Sequence, residues 1–212
     1  MGDDIEQLIL VDHPVIHRDL TILRDVSTPM GEFRRAVNRV SMILAYRALK
    51  DLPLKSFPVQ TPIKSTTGFD IDQDIIIVPI LRAGLGISDT LQKFLPDAKI
   101  GHLGMYRDEK THQPVDYYSN IPAGVEDAMI LVVDPMLATG GSAHDALSFL
   151  KKAGAQHLRF ISLISAPEGI SKIKQLHPDV QIITAAIDEC LNDDAFIVPG
   201  LGDAGDRYFG TE

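Results

Sequence analysis

Residues 129–150 read MILVVDPMLATGGSAHDALSFL, and the architecture of the chain unfolds from this stretch. Residues 129–133 are an unbroken apolar run of strand length, while Ala143, Ala146, Leu147 and Leu150 recur at helical spacing on a single face. The reading is strand, tight turn, helix. Between strand and helix lie an acid, Asp134, then Pro135, Met136 and Leu137, then a turn of small residues, Ala138, Thr139, Gly140, Gly141 and Ser142. Two adjacent glycines let the backbone bend so that successive amides point into one hollow. The start of a helix adds N–H donors without intrahelical partners and a dipole worth roughly 0.3–1 kcal/mol to a nearby negative group. An anion belongs there. The turn has neither the lysine of a Walker A loop nor the GxGxxG spacing of a dinucleotide fold, so the expected anion is a monophosphate. Asp134, at the carboxyl end of the strand, is placed to accept hydrogen bonds from sugar hydroxyls beside it.

Outward from this unit the same alternation repeats. Residues 74–80, DIIIVPI, form a second buried-strand run, followed by a loop, Leu81-Arg82-Ala83-Gly84-Leu85-Gly86, and a helix over 87–94. Further strands are expected at 98–105, 158–164 and 180–186, with a helix at 167–176 between the last two. Such βαβ units, joined by right-handed crossovers, predict an α/β fold with a doubly wound, mainly parallel sheet. In open sheets of this kind ligands bind outside the carboxyl ends of the strands, so Arg82 is expected to face the same crevice as Asp134. There a charge-assisted hydrogen bond to phosphate contributes roughly 1.5–3 kcal/mol.

The remaining segments are read as elaborations. Thr28-Pro29 starts a helix running to about Leu49, with Phe33, Val37, Val40, Leu44 and Ala48 on its apolar face and Arg34, Arg35, Arg39 and Arg47 opposite. That basic face is either solvated or a subunit or effector contact. Residues 5–27 read as irregular structure or a short strand, with His13 and His17 separated by Pro14 and taken as non-metal residues. Residues 52–72 suggest edge strands or a small hairpin outside the main sheet. The polar stretch 106–120, with Arg107 and Lys110, suggests a lid or arm. At 212 residues the chain is expected to be one domain, 1–212, with its core over about 70–190 and the terminal segments completing a hood and a ligand site.

Composition narrows the function. A net charge of −9 argues against general affinity for nucleic acid or anionic membrane and favours a divalent cation as intermediary for a polyphosphate. The single cysteine, Cys190, excludes an internal disulfide and suits a reducing cytoplasm. The N-terminus lacks the basic and apolar regions of a signal peptide, and the longest apolar run is far short of the ~20 residues of a membrane span.

Residues 196–212, FIVPGLGDAGDRYFGTE, look by composition like a frayed tail, yet their glycines and Pro199 imply a fixed, closely approached backbone. Taken in order, ILRAGLG, GMYRDE, VVDPMLATGGS and PGLGDAGDRYFGT resemble the uracil phosphoribosyltransferases, a branch of the type I phosphoribosyltransferase superfamily, over nearly the whole chain. Most of that superfamily carry two adjacent acids in the phosphate loop; Pro135 replaces the second here, as in the uracil branch.

The resemblance implies transfer of a phosphoribosyl group from 5-phosphoribosyl 1-diphosphate (PRPP) to uracil, giving UMP and pyrophosphate, with Mg2+ as cofactor. By position it places PRPP on Arg82, Arg107, residues 134–142 and Asp203, and uracil on Ile197, Gly202, Asp203 and Ala204. Arg82, Arg107 and Asp203 would be the catalytic groups, and Mg2+ would be held mainly through the pyrophosphate. A type I phosphoribosyltransferase fold with a small hood or β-arm, a cytoplasmic homodimer or higher homo-oligomer, and GTP activation as in some members are further implications. Two alternatives remain at this level: a phosphoribosyltransferase for purines or orotate, disfavoured by Pro135 and the C-terminal string, and an RNA-binding regulator, which would need a basic face.

Overall fold

The computed structural model describes residues 7–107 and 114–211, with backbone alone over 105–107 and 114–119. In chain order the elements are β1 (Leu8–Leu10), α1 (Pro14–Arg24), α2 (Met30–Ala48), β2 (Leu54–Gln60), β3 (Ser65–Ile71), β4 (Ile75–Pro79), α3 (Leu85–Phe94), β5 (Lys99–Ile100), β6 (His102–Arg107) and β7 (Pro114–Asn120). There follow β8 (Met129–Val133), β9 (Met136–Leu137), α4 (Gly141–Lys152), β10 (His157–Ser165), α5 (Pro167–Leu176), β11 (Gln181–Ile187), β12 (Cys190–Leu191), β13 (Ile197–Val198) and α6 (Ala204–Phe209).

Seven strands form the central sheet, in the order β1-β11-β10-β8-β4-β5, with β9 paired to the far end of β10. Every pairing in it is parallel. Because successive side chains along a strand point to opposite faces, the apolar runs divide between two layers. Ile77, Leu131, Val133 and Ile161 pack with Phe33, Leu44, Ile87 and Leu91 on one side of the sheet. Ile76, Val78, Ile130, Val132 and Phe160 pack with Leu147, Leu150 and Ile173 on the other. A strand covered on both faces has no polar side to show, which is why these runs read as unbroken apolar sequence.

This layering locates the ligand crevice. The chain leaves β4 through α3 on one face, toward the β5 edge, and leaves β8 through α4 on the opposite face, toward β10. The winding therefore reverses between the neighbouring strands β4 and β8, and a crevice opens beyond their carboxyl ends. Arg82 and Asp134 follow those two ends.

Several expectations need correction. Between residues 7 and 27 the short strand is present, β1 joining the main sheet with Leu8 opposite Ile182, but a helix not expected there, α1, fills Pro14–Arg24. Pro14 starts that helix rather than interrupting it, and His13 caps it through its ring nitrogen, which accepts from the Val15 N–H at 3.1 Å. Thr28 does not cap α2; its hydroxyl donates to the Ile22 carbonyl and Pro29 stands at the cap position. The strand expected at 98–105 is divided, β5 staying in the sheet while β6 departs to pair antiparallel with β7. That hairpin is the expected arm; Lys110 and the side chain of Arg107 lie outside the described residues. Residues 52–72 form the separate hairpin β2–β3, as read. No helix among the described residues is long and apolar enough to cross a membrane.

The arginine face of α2 is largely committed. Arg39 donates through Nε and Nη2 to the fully buried Asp19 at 2.8 and 2.9 Å, Arg35 to Glu32 at 2.7 Å, and Arg34 to the Tyr208 carbonyl at 2.7 Å. Burial acts to raise the Asp19 pKa, but the hydrogen bonds from Arg39 and Arg18 outweigh it and hold the carboxyl below its usual range.

Candidate active site

Residues 129–152 form strand, turn and helix as their sequence suggested, with one addition. After Asp134 the chain does not run free: Met136 and Leu137 pair with Ile164 and Ser165 of β10, and the Pro135 carbonyl accepts from the Leu163 and Ile164 amides at 3.0 and 3.2 Å. This anchors the loop to the sheet before it turns. Gly140 then adopts φ +72°, a left-handed conformation that L side chains rarely adopt, and α4 begins at Gly141. The Thr139 hydroxyl accepts from the Gly141 N–H at 3.3 Å, and Ser142 is exposed in the first turn. Asp134, Met136 and residues 137–143 line a hollow of about 80 Å³. Its mouth carries the helix amides and dipole that favour an anion. From behind, the loop rests on α5, where a Cβ on Gly169 would come 2.4 Å from the Ala138 carbonyl oxygen and 2.9 Å from that of Leu137.

Asp134 keeps some exposed surface, yet its carboxyl lies deep among protein atoms. Burial, with a smaller push from the charge of Asp203, raises its pKa from the ordinary 3.8 to about 7, although the Met136 N–H donates to Oδ1 at 3.2 Å and works the other way. Among the charges that act on Asp134 is that of Asp203, 69 positions away in the sequence. No set of three or more metal-ligating side chains occurs among the described residues. The carboxylates of Asp134 and Asp203 are nonetheless hard oxygen donors of the kind that suits Mg2+, which takes one or two carboxylates together with water and substrate phosphate.

Arg82 reaches the same place from the loop after β4. That loop is pressed onto the end of β8: a Cβ on Gly84 would stand 2.4 Å from the Val133 carbonyl oxygen. The Arg82 side chain is half exposed, and its Nη2 donates to Asp206 of α6 at 2.7 Å. Asp206 also accepts from the Thr211 hydroxyl, while its N–H donates to Asp203 Oδ1 at 2.9 Å, making Asp203 the N-cap of α6. The C-terminal helix thus holds Arg82 and Asp203 side by side. Tyr208 seats it, its ring lying 2.6 Å from where a Gly86 Cβ would be.

The C-terminal loop has the fixed backbone its composition implied. Ile197 and Val198 pair with Leu191 and Cys190, the Val198–Pro199 peptide is cis, and Gly200 and Gly202 have φ of +63° and +76°. Ile197 and Ala204 are buried, while Gly202 and Asp203 are exposed toward the crevice. The structure therefore brings Arg82, Asp134, residues 135–142, Asp203 and the 197–204 loop together; the side chain of Arg107 is outside the described residues. The sequence reading missed Asp206, Thr211 and Gly169. Asp206 carried a signal, since GDAGDR repeats an acid at the spacing of a helix cap and its first turn. Gly169 carried none, because only its contact with the phosphate loop marks it.

Comparison with known proteins agrees with this geometry. The uracil phosphoribosyltransferase family matches residues 10–211. A uracil phosphoribosyltransferase from Salinibacter ruber is 52% identical over 207 residues, covering 98% of this chain and 99% of the relative. Among solved structures, the AQ2163 protein from Aquifex aeolicus superposes with a TM-score of 0.89 at 34% identity, over 97% of this chain and 99% of that one. An adenine phosphoribosyltransferase from Trypanosoma brucei, solved with AMP, pyrophosphate and ribose-5-phosphate, shares the fold at 11% identity, with a TM-score of 0.60 over 94% of this chain and 89% of that one. With a sequence match that spans nearly its whole length and a crevice at the reversal between β4 and β8, the chain belongs to the uracil phosphoribosyltransferase family.

Proposed function

We infer that the protein is a pentosyltransferase that moves the 5-phosphoribosyl group of PRPP onto uracil, forming UMP and pyrophosphate in pyrimidine salvage. The observation that carries this reading is the geometry at the strand ends: Asp134 lines a small hollow of loop and helix amides, while Arg82 is held against the helix that Asp203 caps, next to a glycine-rich loop of fixed backbone. In the reaction a ring nitrogen of uracil bonds to the anomeric carbon of the ribose. The bond to pyrophosphate breaks, the leaving group takes the electron pair, and the nitrogen loses its proton.

Each group has a place in that reading. The amides and hydroxyls of residues 137–142 hold the 5-phosphate, and Asp134 accepts from the ribose hydroxyls. Arg82, swung from Asp206 or sharing it, supports the charge on the pyrophosphate, together with Arg107 of the β6–β7 arm. Asp203 and Asp134 would hold Mg2+ through its waters, and when bound the ion neutralises the pyrophosphate. Backbone groups of Ile197, Gly202, Asp203 and Ala204 pair with the edge of the base. Such a reader can reject cytosine by up to ~10⁴–10⁵-fold, because the exchanged amino group leaves a buried partner unpaired. Catalysis then rests on positioning and on fixed charges rather than on a covalent nucleophile.

A homo-oligomer is part of the same proposal, supported by Leu54, Phe57, Ile63 and Phe69 exposed on the β2–β3 hairpin, and a cytoplasmic location goes with the single cysteine. Activation by GTP is an expectation of the family resemblance alone. An RNA-binding role is disfavoured by the pairing of Arg34, Arg35 and Arg39 inside the molecule.

The direct test is incubation with labelled uracil, PRPP and Mg2+, with cytosine, orotate, hypoxanthine and metal-free controls. UMP formed from uracil alone supports the reading, and UMP absent under all conditions rejects it. The loop assignment has a separate check. Gly169→Ala drives a methyl group into the carbonyls behind the phosphate loop, an overpacking that costs about 1–3 kcal/mol of stability. Steady-state kinetics should show KM for PRPP raised at least tenfold and KM for uracil changed less; equal changes would remove the loop from PRPP binding.

A further inference from the structure

The base loop is gripped by a partly buried ion pair, one member of which, Arg24, lines the same cavity as Gly200, Gly202 and Asp203. Arg24, the last residue of α1, donates Nη1 to Asp188 Oδ2 at 2.8 Å and Nη2 to Asp188 Oδ1 at 2.6 Å, a two-point pairing. The same Nη1 donates to the Gly200 carbonyl at 2.8 Å, and Asp188 Oδ2 accepts the Gly200 N–H at 2.9 Å. Both backbone groups of one loop residue are thus seized by one ion pair. The Asp188 side chain is almost wholly buried, 3% exposed, and it stands directly after β11, its own N–H bonded to the Ser165 carbonyl at 2.9 Å.

Gly200 is the residue at which the loop turns. Its φ is +63°, and a Cβ there would fall 2.1 Å from the Ile197 carbonyl oxygen, so the turn is as tight as a chain permits. Ile197 lies on one side of it and Gly202, Asp203 and Ala204 on the other. The direction of their amides and carbonyls therefore depends on the orientation of the two peptide units flanking Gly200. Arg207 secures the next step, donating to the Leu201 carbonyl at 2.8 Å, to the Leu23 carbonyl in the last turn of α1 and to the Asp25 carbonyl just after it.

We propose that Arg24 and Asp188 are positioning residues for base selectivity: by gripping both backbone groups of Gly200 they orient the 197–204 backbone that discriminates uracil from other pyrimidines. This rests on the reading that the loop is the base site. A backbone reader has no side chain of its own to adjust, so its selectivity is only as good as the stiffness of its support. A two-point ion pair with its carboxylate buried supplies that stiffness, since losing Arg24 leaves the buried charge of Asp188 without its partner.

The test compares Asp188→Asn, Asp188→Ala and Arg24→Lys with the wild-type enzyme, measuring thermal unfolding, KM for uracil, KM for PRPP and the ratio of kcat/KM for uracil to that for cytosine. Asparagine keeps an acceptor for the Gly200 N–H but loses the charge, and lysine keeps the charge but loses the fork. KM for uracil should rise at least tenfold in the Asn and Lys variants, more in Asp188→Ala, with KM for PRPP within threefold and the uracil-to-cytosine ratio reduced at least tenfold. A fall in thermal stability with both KM values and the ratio unchanged would make the pair merely structural and overturn the proposal. So would equal rises in both KM values. If Asp188→Ala does not fold, the two conservative variants decide. Absence of UMP formation by the wild-type protein would instead reject the functional reading itself.

Discussion

Asp134→Asn should lower kcat/KM for PRPP by about 10²–10³-fold, the size expected when one preorganised hydrogen-bonding group for the reacting sugar is removed, and should at the same time stabilise the ligand-free protein above pH 7. The two effects have one cause. Burial raises the Asp134 pKa from 3.8 to about 7, so the folded protein binds this proton more tightly than the unfolded chain does. Stability from that difference is complete below pH 4 and disappears as pH rises through 7. Asparagine has no proton to lose. At pH 8 the variant should exceed the wild type by roughly 2–4 kcal/mol, from 1.36 kcal/mol per pH unit across that interval, lessened by the residue's remaining exposure. Near pH 4 the advantage should vanish. Denaturant melts at pH 4 and 8 and rate profiles from pH 5 to 9 check both halves. The wild-type kcat/KM should climb through an acid limb near pH 7, because the ionised form accepts from the ribose hydroxyls. An unchanged melt at pH 8 would mean that the carboxyl is not desolvated; an unchanged rate would take it out of the site.

Asp203→Asn should reduce kcat about 10²-fold while KM for uracil stays within threefold. The substitution leaves the local fold intact, since asparagine is as good a helix N-cap as aspartate and can still accept the Asp206 N–H. What disappears is a charge. Burial dominates the upward push on Asp134, but part of it comes from Asp203, so the acid limb of kcat/KM should move to lower pH in the variant. A purely structural role would shift thermal stability and leave that limb in place. Turnover equal to the wild type would remove Asp203 from the chemistry.

The two substitutions probe groups whose legibility in the sequence differed. Asp134 was marked by its position between an apolar strand and a double-glycine turn, a strictly local pattern. Asp203 sits in a stretch whose composition suggests a tail, and it acquired a role before the structure only through the resemblance of PGLGDAGDRYFGT to a known family. Its neighbourhood with Asp134 arises because α6 packs over the Arg82 loop, with Tyr208 filling the space left by Gly86. Helix α1 is a different case. Ile16, Leu20 and Leu23 are spaced as a buried helical face, and Pro14, which lies between His13 and His17, starts the helix. Proline is compatible with the first helical turn because the N–H it lacks has no intrahelical partner there.

Local chemistry alone determined the parallel sheet and the hollow at the turn after β8: strands buried on both faces must be apolar throughout, and a tight turn that gathers amides must be built of small residues. Neither demand refers to distant parts of the chain. Tertiary structure alone decided which distant segments close the site. The edge strand β1 beside β11, Arg24 gripping the Gly200 carbonyl, and Arg82 held by Asp206 each join residues more than a hundred positions apart. Their side chains carry no periodic signature, since a charge that pairs across the fold looks, in sequence, like any charge at the surface.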